Sequence, residues 1–219
     1  MAITTTYFTG TTADSNRNEV RAWLNTNATD YFSAISTPAG STAIQCKIDG
    51  VTALTIDTNT NNYIFFATLK NGMNDYRFAK WGTDHRFTRA VKTSCGILLY
   101  VNNIDNIFIT KNTDGGVIFA GYHSTGNSTY GATIGDFAND SAFKDMGGSN
   151  GTGFALDRLK NVGVQSAGRT ALVPAVTDAG TYSDNLFFVP FTQFIGQSGI
   201  TIDVDGTKYV YNGVFALKE

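Results

Sequence analysis

Residues 43–56 read Ala43-Ile44-Gln45-Cys46-Lys47-Ile48, then Asp49-Gly50, then Val51-Thr52-Ala53-Leu54-Thr55-Ile56. Apolar and polar residues alternate on both arms, the period of a strand with one face in a core. Asp-Gly between such arms is the pair that a two-residue hairpin turn selects. The same grammar extends downstream. Tyr63–Leu69 is a continuous apolar run of the kind buried on both faces, and further strands are expected at Tyr76–Trp81, Arg86–Thr93, Gly96–Val101, Ile104–Thr110 and Val117–Tyr122. Close spacing with turns between them predicts an antiparallel meander or sandwich.

Upstream, the period changes. Val20, Trp23, Leu24, Ala28, Tyr31, Phe32 and Ile35 recur at i, i+3, i+4, which predicts one amphipathic helix over 16–36. Asn16 and Glu19 have capping-box spacing, and Pro38 supplies a stop. Asn25-Thr26-Asn27 are poor helix formers and weaken its middle. Trp23 and Phe32 fall on the apolar stripe, which must cover a sheet face or a neighbouring subunit. Residues 1–15 form an N-terminal arm in which Ile3–Phe8 is an edge strand or lies on a neighbour.

From Gly121 to Gly168 ten glycines separate scattered apolar residues, with a short helix expected near Phe154–Lys160. An irregular stretch of this length is functional or disordered, and its recurring Phe residues favour an excursion that packs on another chain or folds back on its own core. Strands resume at Thr170–Val176 and Asn185–Phe194, where Pro174 and Pro190 confine the runs to edges or bulges. A last hairpin turns at Asp205-Gly206. The expected fold is thus mainly β: one antiparallel, jelly-roll-like β-sandwich built from 43–122 and 170–219, with an N-terminal helix and a Gly-rich insertion at 121–168.

Bulk composition excludes several classes. The 219 residues suffice for one domain that buries about 70% of its unfolded surface. A net charge of −2 argues against a dedicated nucleic-acid binder, and 13% aromatic residues argue against disorder. No secretory signal and no membrane-spanning apolar window is read, so a protein made in the cytoplasm is expected.

Candidate chemistry is sparse. Cys46 and Cys95 lie in apolar runs and read as buried free thiols. His85 and His123 are the two histidines; a Cys95–His85 pair would define a small hydrolase, but no G-x-S-x-G elbow accompanies it. Asp203-x-Asp205-Gly206 resembles the start of a calcium loop without its closing Glu, so a hairpin turn explains it better. Gly151-Thr152-Gly153 lacks the third glycine of a dinucleotide site. The segment Arg77, Lys80, His85, Arg86, Arg89, Lys92, interleaved with Tyr76, Phe78, Trp81 and Phe87, could stack single-stranded nucleic acid or be an ordinary hairpin. Trp81, Tyr122 and Tyr130 are candidates for a glycan face. No catalytic, cofactor or metal residue is assigned.

The run Ala22-Trp23-Leu24-Asn25 leading to Tyr31-Phe32-Ser33-Ala34-Ile35, and the ending Gly206-Thr207-Lys208-Tyr209-Val210-Tyr211-Asn212-Gly213-Val214-Phe215-Ala216-Leu217, resemble small β-rich virion structural proteins of tailed bacteriophages. The resemblance implies a non-enzymatic virion component (capsid decoration, head–tail or tail) whose partners are copies of itself and other virion proteins. It carries no functional residue. A receptor- or glycan-binding module on the particle is the alternative, with the hydrolase third.

Overall fold

The computed structural model describes residues 3–59, 62–68, 75–81, 86–101, 105–124, 130–137, 144–145, 172–176, 182–188, 200–211 and 215–219. Within them the chain is mainly β, with antiparallel sheets and one helix.

Helix α1 spans Ala13–Asn27, shorter than the periodicity predicts and starting earlier. Its cap is Thr12, not Asn16. Thr12 Oγ1 accepts from the Ser15 amide at 3.1 Å while Ser15 Oγ accepts from the Thr12 amide at 3.0 Å, a capping box one turn upstream of the expected one. The end is set by Asn25, Thr26 and Asn27, whose side chains donate to the carbonyls of Arg21, Ala22 and Trp23 and so compete with the backbone ladder. Tyr31 and Phe32 therefore lie in the turn after the helix, and Ile35 lies in a strand. Phe32 still reaches the core, stacking on Phe119 with ring centroids 6.2 Å apart.

Asn16 and Glu19 have other roles. Asn16 is buried inside the helix; its Nδ2 donates to the Phe87 carbonyl at 2.9 Å and its Oδ1 accepts from the Phe87 amide at 3.0 Å. One side chain thus replaces a strand partner for Phe87. The Glu19 carboxylate accepts from the amides of Thr9 and Gly10 and from the Thr9 hydroxyl. It ties the arm across the start of the helix, where a Cβ on Gly10 would fall 2.4 Å from the Asn16 nitrogen.

The described residues form seventeen strands in three sheets. The first sheet runs in chain order through β2 (Ala34–Ser36), β3 (Ala43–Ile48), β4 (Val51–Asn59), β5 (Asn62–Thr68) and β6 (Asp75–Trp81). Its opening hairpin turns at Asp49-Gly50, with φ of 49° and 80°, the left-handed pair that an Asp-Gly turn provides. The central sheet joins β1 (Thr4–Tyr7) to β7 (Phe87–Lys92), then continues through β8 (Gly96–Val101), β9 (Asp105–Lys111), β10 (Val117–Ser124), β11 (Tyr130–Asp136) and β12 (Lys144–Asp145). The C-terminal sheet places β13 (Val173–Val176), β14 (Tyr182–Phe188), β17 (Phe215–Lys218), β16 (Thr207–Tyr211) and β15 (Ile200–Val204) in that order.

For the N-terminal arm the edge-strand alternative holds, with Thr4–Tyr7 pairing against Arg89–Lys92 of its own chain. One expectation changes here. The glycine-rich excursion begins as regular sheet, since Tyr130–Asp136 pairs with β10 from Ile118 to Ser124. The short helix near Phe154–Lys160, and Pro190, lie outside the described residues. Pro174 sits in edge strand β13 at a register shift, the position its missing N–H permits.

The core is organised by the central sheet, buried on both faces. Every residue of β8 is buried. Ile97, Leu99, Ile107, Ile109 and Phe119 face Val20 and Leu24 of α1 with Ile44, Leu54 and Ile56 of the first sheet. Leu98, Tyr100, Phe108 and Ile118 face Leu186, Val210, Phe215 and Leu217 of the C-terminal sheet. Full burial of each such side chain contributes about 1.5–3 kcal/mol. Gly96 opens β8 because a Cβ there would meet the Ile109 carbonyl at 2.7 Å and Leu217 at 2.9 Å.

Replacing Asn16 by Ala removes both of its buried hydrogen bonds to the Phe87 backbone, and should cost about 2–4 kcal/mol in urea unfolding. A loss under about 1 kcal/mol would show that the clamp is dispensable. The hydrogen bonds to Glu19, led by the Gly10 amide, hold its pKa below the ordinary 4.5 although burial opposes them. A lowered folded-state value means that its contribution is complete above the unfolded value and is lost as pH falls through the folded one. Glu19→Gln should therefore be less stable than the parent near neutrality, and the two unfolding curves should converge as pH drops below 4.5.

Candidate functional site

An open cleft of about 370 Å³ lies where three chain reversals meet. One wall is the turn after α1, Thr29 to Ser33, which exists because the helix ends at Asn27. A second is Ile48-Asp49 at the tip of the β3–β4 hairpin. The third is the β9–β10 connection, with Lys111, Gly115, Gly116 and Val117. Phe137, just past β11, closes the floor with Phe32; both are buried.

The third wall is rigid. Asn112 Oδ1 accepts from the amides of Asp114 (2.9 Å) and Gly116 (2.7 Å), while its Nδ2 donates to Asp136 Oδ2 at 2.7 Å. Asn112 and Asp136 are 6% and 0% exposed, so this polar contact is made out of water and holds its geometry strongly. Backbone bonds from Asn112 N to Gly116 O and from Phe137 N to Val117 O complete the frame.

Tyr31 is half-buried in the cleft, with its hydroxyl pKa pushed up to about 12 by burial, then by electrostatic interaction with Asp30 and Cys95. At neutral pH it is a neutral phenol. Lys111 Nζ stands 5.9 Å from the Tyr31 ring centroid, near the outer limit of a cation–π contact. Asp30 and Asp49 are exposed on opposite walls. The arrangement offers acceptors, a cationic donor and an aromatic surface.

The residues singled out in the sequence are dispersed. Cys46 is buried in the core beside α1 and Cys95 is half-buried at the start of β8; both are free thiols. Burial raises the Cys46 pKa far above the ordinary thiol value. His85 lies outside the described residues, as does the side chain of His123 on β10. Asp203 Oδ1 accepts from the Gly206 amide at 3.0 Å, and Asp205 and Gly206 take φ of 52° and 79°, so the calcium-like triplet is the β15–β16 turn. Gly151–Gly153 is outside the described residues. The basic segment is split between sheets, with Arg77 and Lys80 on β6 and Arg89 and Lys92 on β7. The Arg89 guanidinium stacks 4.0 Å over the ring of buried Tyr100 and serves the sheet interior. Trp81, Tyr122 and Tyr130 are on β6, β10 and β11, with side chains outside the described residues.

Positions 30, 31, 49 and 111 escaped the sequence reading because no local spacing links them; only packing of separate layers does. Comparison with protein-family models, with curated proteins and with solved structures finds no match. No helix among the described residues is long and apolar enough to cross a membrane.

Thiol burial gives a direct check. Native protein should take up a neutral-pH alkylating reagent at Cys95, with Cys46 modified only after unfolding, as read by peptide mass spectrometry. Fast native labelling of Cys46 would contradict its place under the helix.

Proposed function

We propose that the chain is a non-enzymatic structural subunit of a bacteriophage virion, working through contacts with copies of itself and with other virion proteins. In this reading it is made in the host cytoplasm and resides in the particle as capsid decoration, head–tail or tail component. The observation that carries it is the C-terminal sheet, which is apolar on both faces. Val210, Phe215 and Leu217 turn inward to the central sheet, whereas Tyr209, Tyr211 and Ala216 form a second cluster with Leu172, Phe187, Ile202 and Val204. Ile202 and Val204 are only part-buried and lie on β15, the last strand of its sheet among the described residues. A β-branched edge with apolar side chains on one face invites a partner.

The segment Gly206–Leu217 that resembles virion proteins contributes β16 and most of β17, so the resemblance and the apolar sheet coincide. The N-terminal arm is engaged by β7 and Glu19 within its own chain, which moves the proposed contact to the C-terminal sheet. For the finer fold, double burial of the central sheet supports a layered sandwich. The neighbour-to-neighbour strand order of the first sheet, and of β7 to β12 in the central one, supports meanders over jelly-roll crossovers.

Light scattering on the isolated chain and mass spectrometry of purified particles test this reading. Expected are a multimer weakened about tenfold or more by Ile202→Lys, and the chain as a stoichiometric particle component. A strictly monomeric chain absent from particles would end the proposal.

A further inference from the structure

The cleft holds groups that the fold does not use. Asp30 and Asp49 make no hydrogen bond or ion pair among the described residues. Lys111 keeps its ammonium in the cleft through a loose contact with Tyr31, free to donate to something else. Beneath them the floor is apolar, with Phe32, Val117 and Phe137 buried.

Each class of small ligand uses this set differently. The three charges sum to −1, so a phosphate, a sulfated chain or a sialic acid would meet net repulsion. An inorganic cation would satisfy the carboxylates but leave the ring and floor unused, and a diamine would pair with the carboxylates but leave the Lys111 ammonium without an acceptor. A neutral sugar uses all of it: vicinal hydroxyls donate to a carboxylate, another hydroxyl accepts from the ammonium, and the C–H face lies on apolar carbon. A volume of about 370 Å³ lies at the small end of ligand pockets, the scale of a mono- or disaccharide. We propose that this cleft is a binding site for a short neutral saccharide, with Asp30 and Asp49 as acceptors, Lys111 as donor and Tyr31 as the aromatic wall.

The proposal stands apart from the assembly reading. It uses the opposite sheet layer, and either can fail while the other holds.

Saturation-transfer NMR on the full chain tests it, with neutral hexoses, N-acetylhexosamines and their disaccharides set against sialyllactose and putrescine. Expected is a signal from a neutral sugar with a dissociation constant on the order of 1 mM, weakened about tenfold by Asp49→Asn and by Lys111→Met. Asp184→Asn, an exposed carboxylate on β14, should leave binding unchanged. Thermal melts confirm that each variant is folded. The proposal is overturned if no neutral sugar binds, if sialyllactose or putrescine binds better, or if folded Asp49→Asn and Lys111→Met bind as well as the parent.

Discussion

The structure depends on a sheet whose middle strands have no wet face. With β8 buried along its whole length, the central sheet is stable only while something covers each side. Apolar burial supplies most of the energy but has no direction, so it cannot say where the covering layer should sit. On one side direction comes from the Asn16 amide, which grips both backbone groups of Phe87 and fixes α1 against the first residue of β7. Because donor and acceptor are both used, sliding or rotating the helix breaks two buried bonds at once. Trp23 Nε1 on Thr6 and Glu19 on Thr9 and Gly10 then fasten the arm to the same helix. The edge strand, the helix and the sheet are thereby one mechanical unit.

On the other side the device is steric. A Cβ at position 96 would strike the Ile109 carbonyl at 2.7 Å and the Leu217 side chain at 2.9 Å, so glycine there lets the C-terminal strand close on β8, and Phe215 meets Phe108 edge-on at 6.5 Å. Thr110 Oγ1 donates to the Cys95 carbonyl at 2.6 Å, holding the start of β8 in place as the C-terminal strand crosses it. The two covers therefore use different physics, a polar clamp on one face and close packing on the other. The second is the more sensitive to volume and the less sensitive to pH.

Most of the strand layout was legible because alternation and turn residues act locally. Asp49-Gly50 and Asp205-Gly206 announced their hairpins, and Pro174 announced an edge, since each restricts its own backbone whatever surrounds it. The helix was legible in type but not in extent. Thr12/Ser15 and Asn16/Glu19 share one spacing, and only packing decides which pair caps and which pair reaches elsewhere. Tyr31 and Phe32 continued the apolar stripe because a compact turn after Ala28 keeps them on the same side as Leu24, which periodicity cannot distinguish from helix. The start of the glycine-rich stretch misled for the opposite reason. Gly131 and Gly135 are strand residues tolerated by pairing with β10, a tertiary override of weak local preference.

The cleft follows from the same layering. Where a strand or helix turns back, its backbone leaves the ladder and needs water or polar side chains, so turns carry Asp, Asn, Lys and Gly. Each layer must turn back, and three such reversals meet beside the end of the core where Phe32, Val117 and Phe137 lie. A polar rim around an apolar floor is therefore a product of stacking meanders of similar length, before any selection for a ligand. What stacking alone does not require is the rigidity of the β9–β10 wall. A solvent-exposed turn needs no buried Asn112–Asp136 contact, and desolvating that carboxylate costs free energy that a floppy loop would not incur. Holding Lys111 at a fixed place opposite Asp30 and Asp49 gives that contact a purpose, since preorganised groups lose less entropy when a small polar ligand arrives.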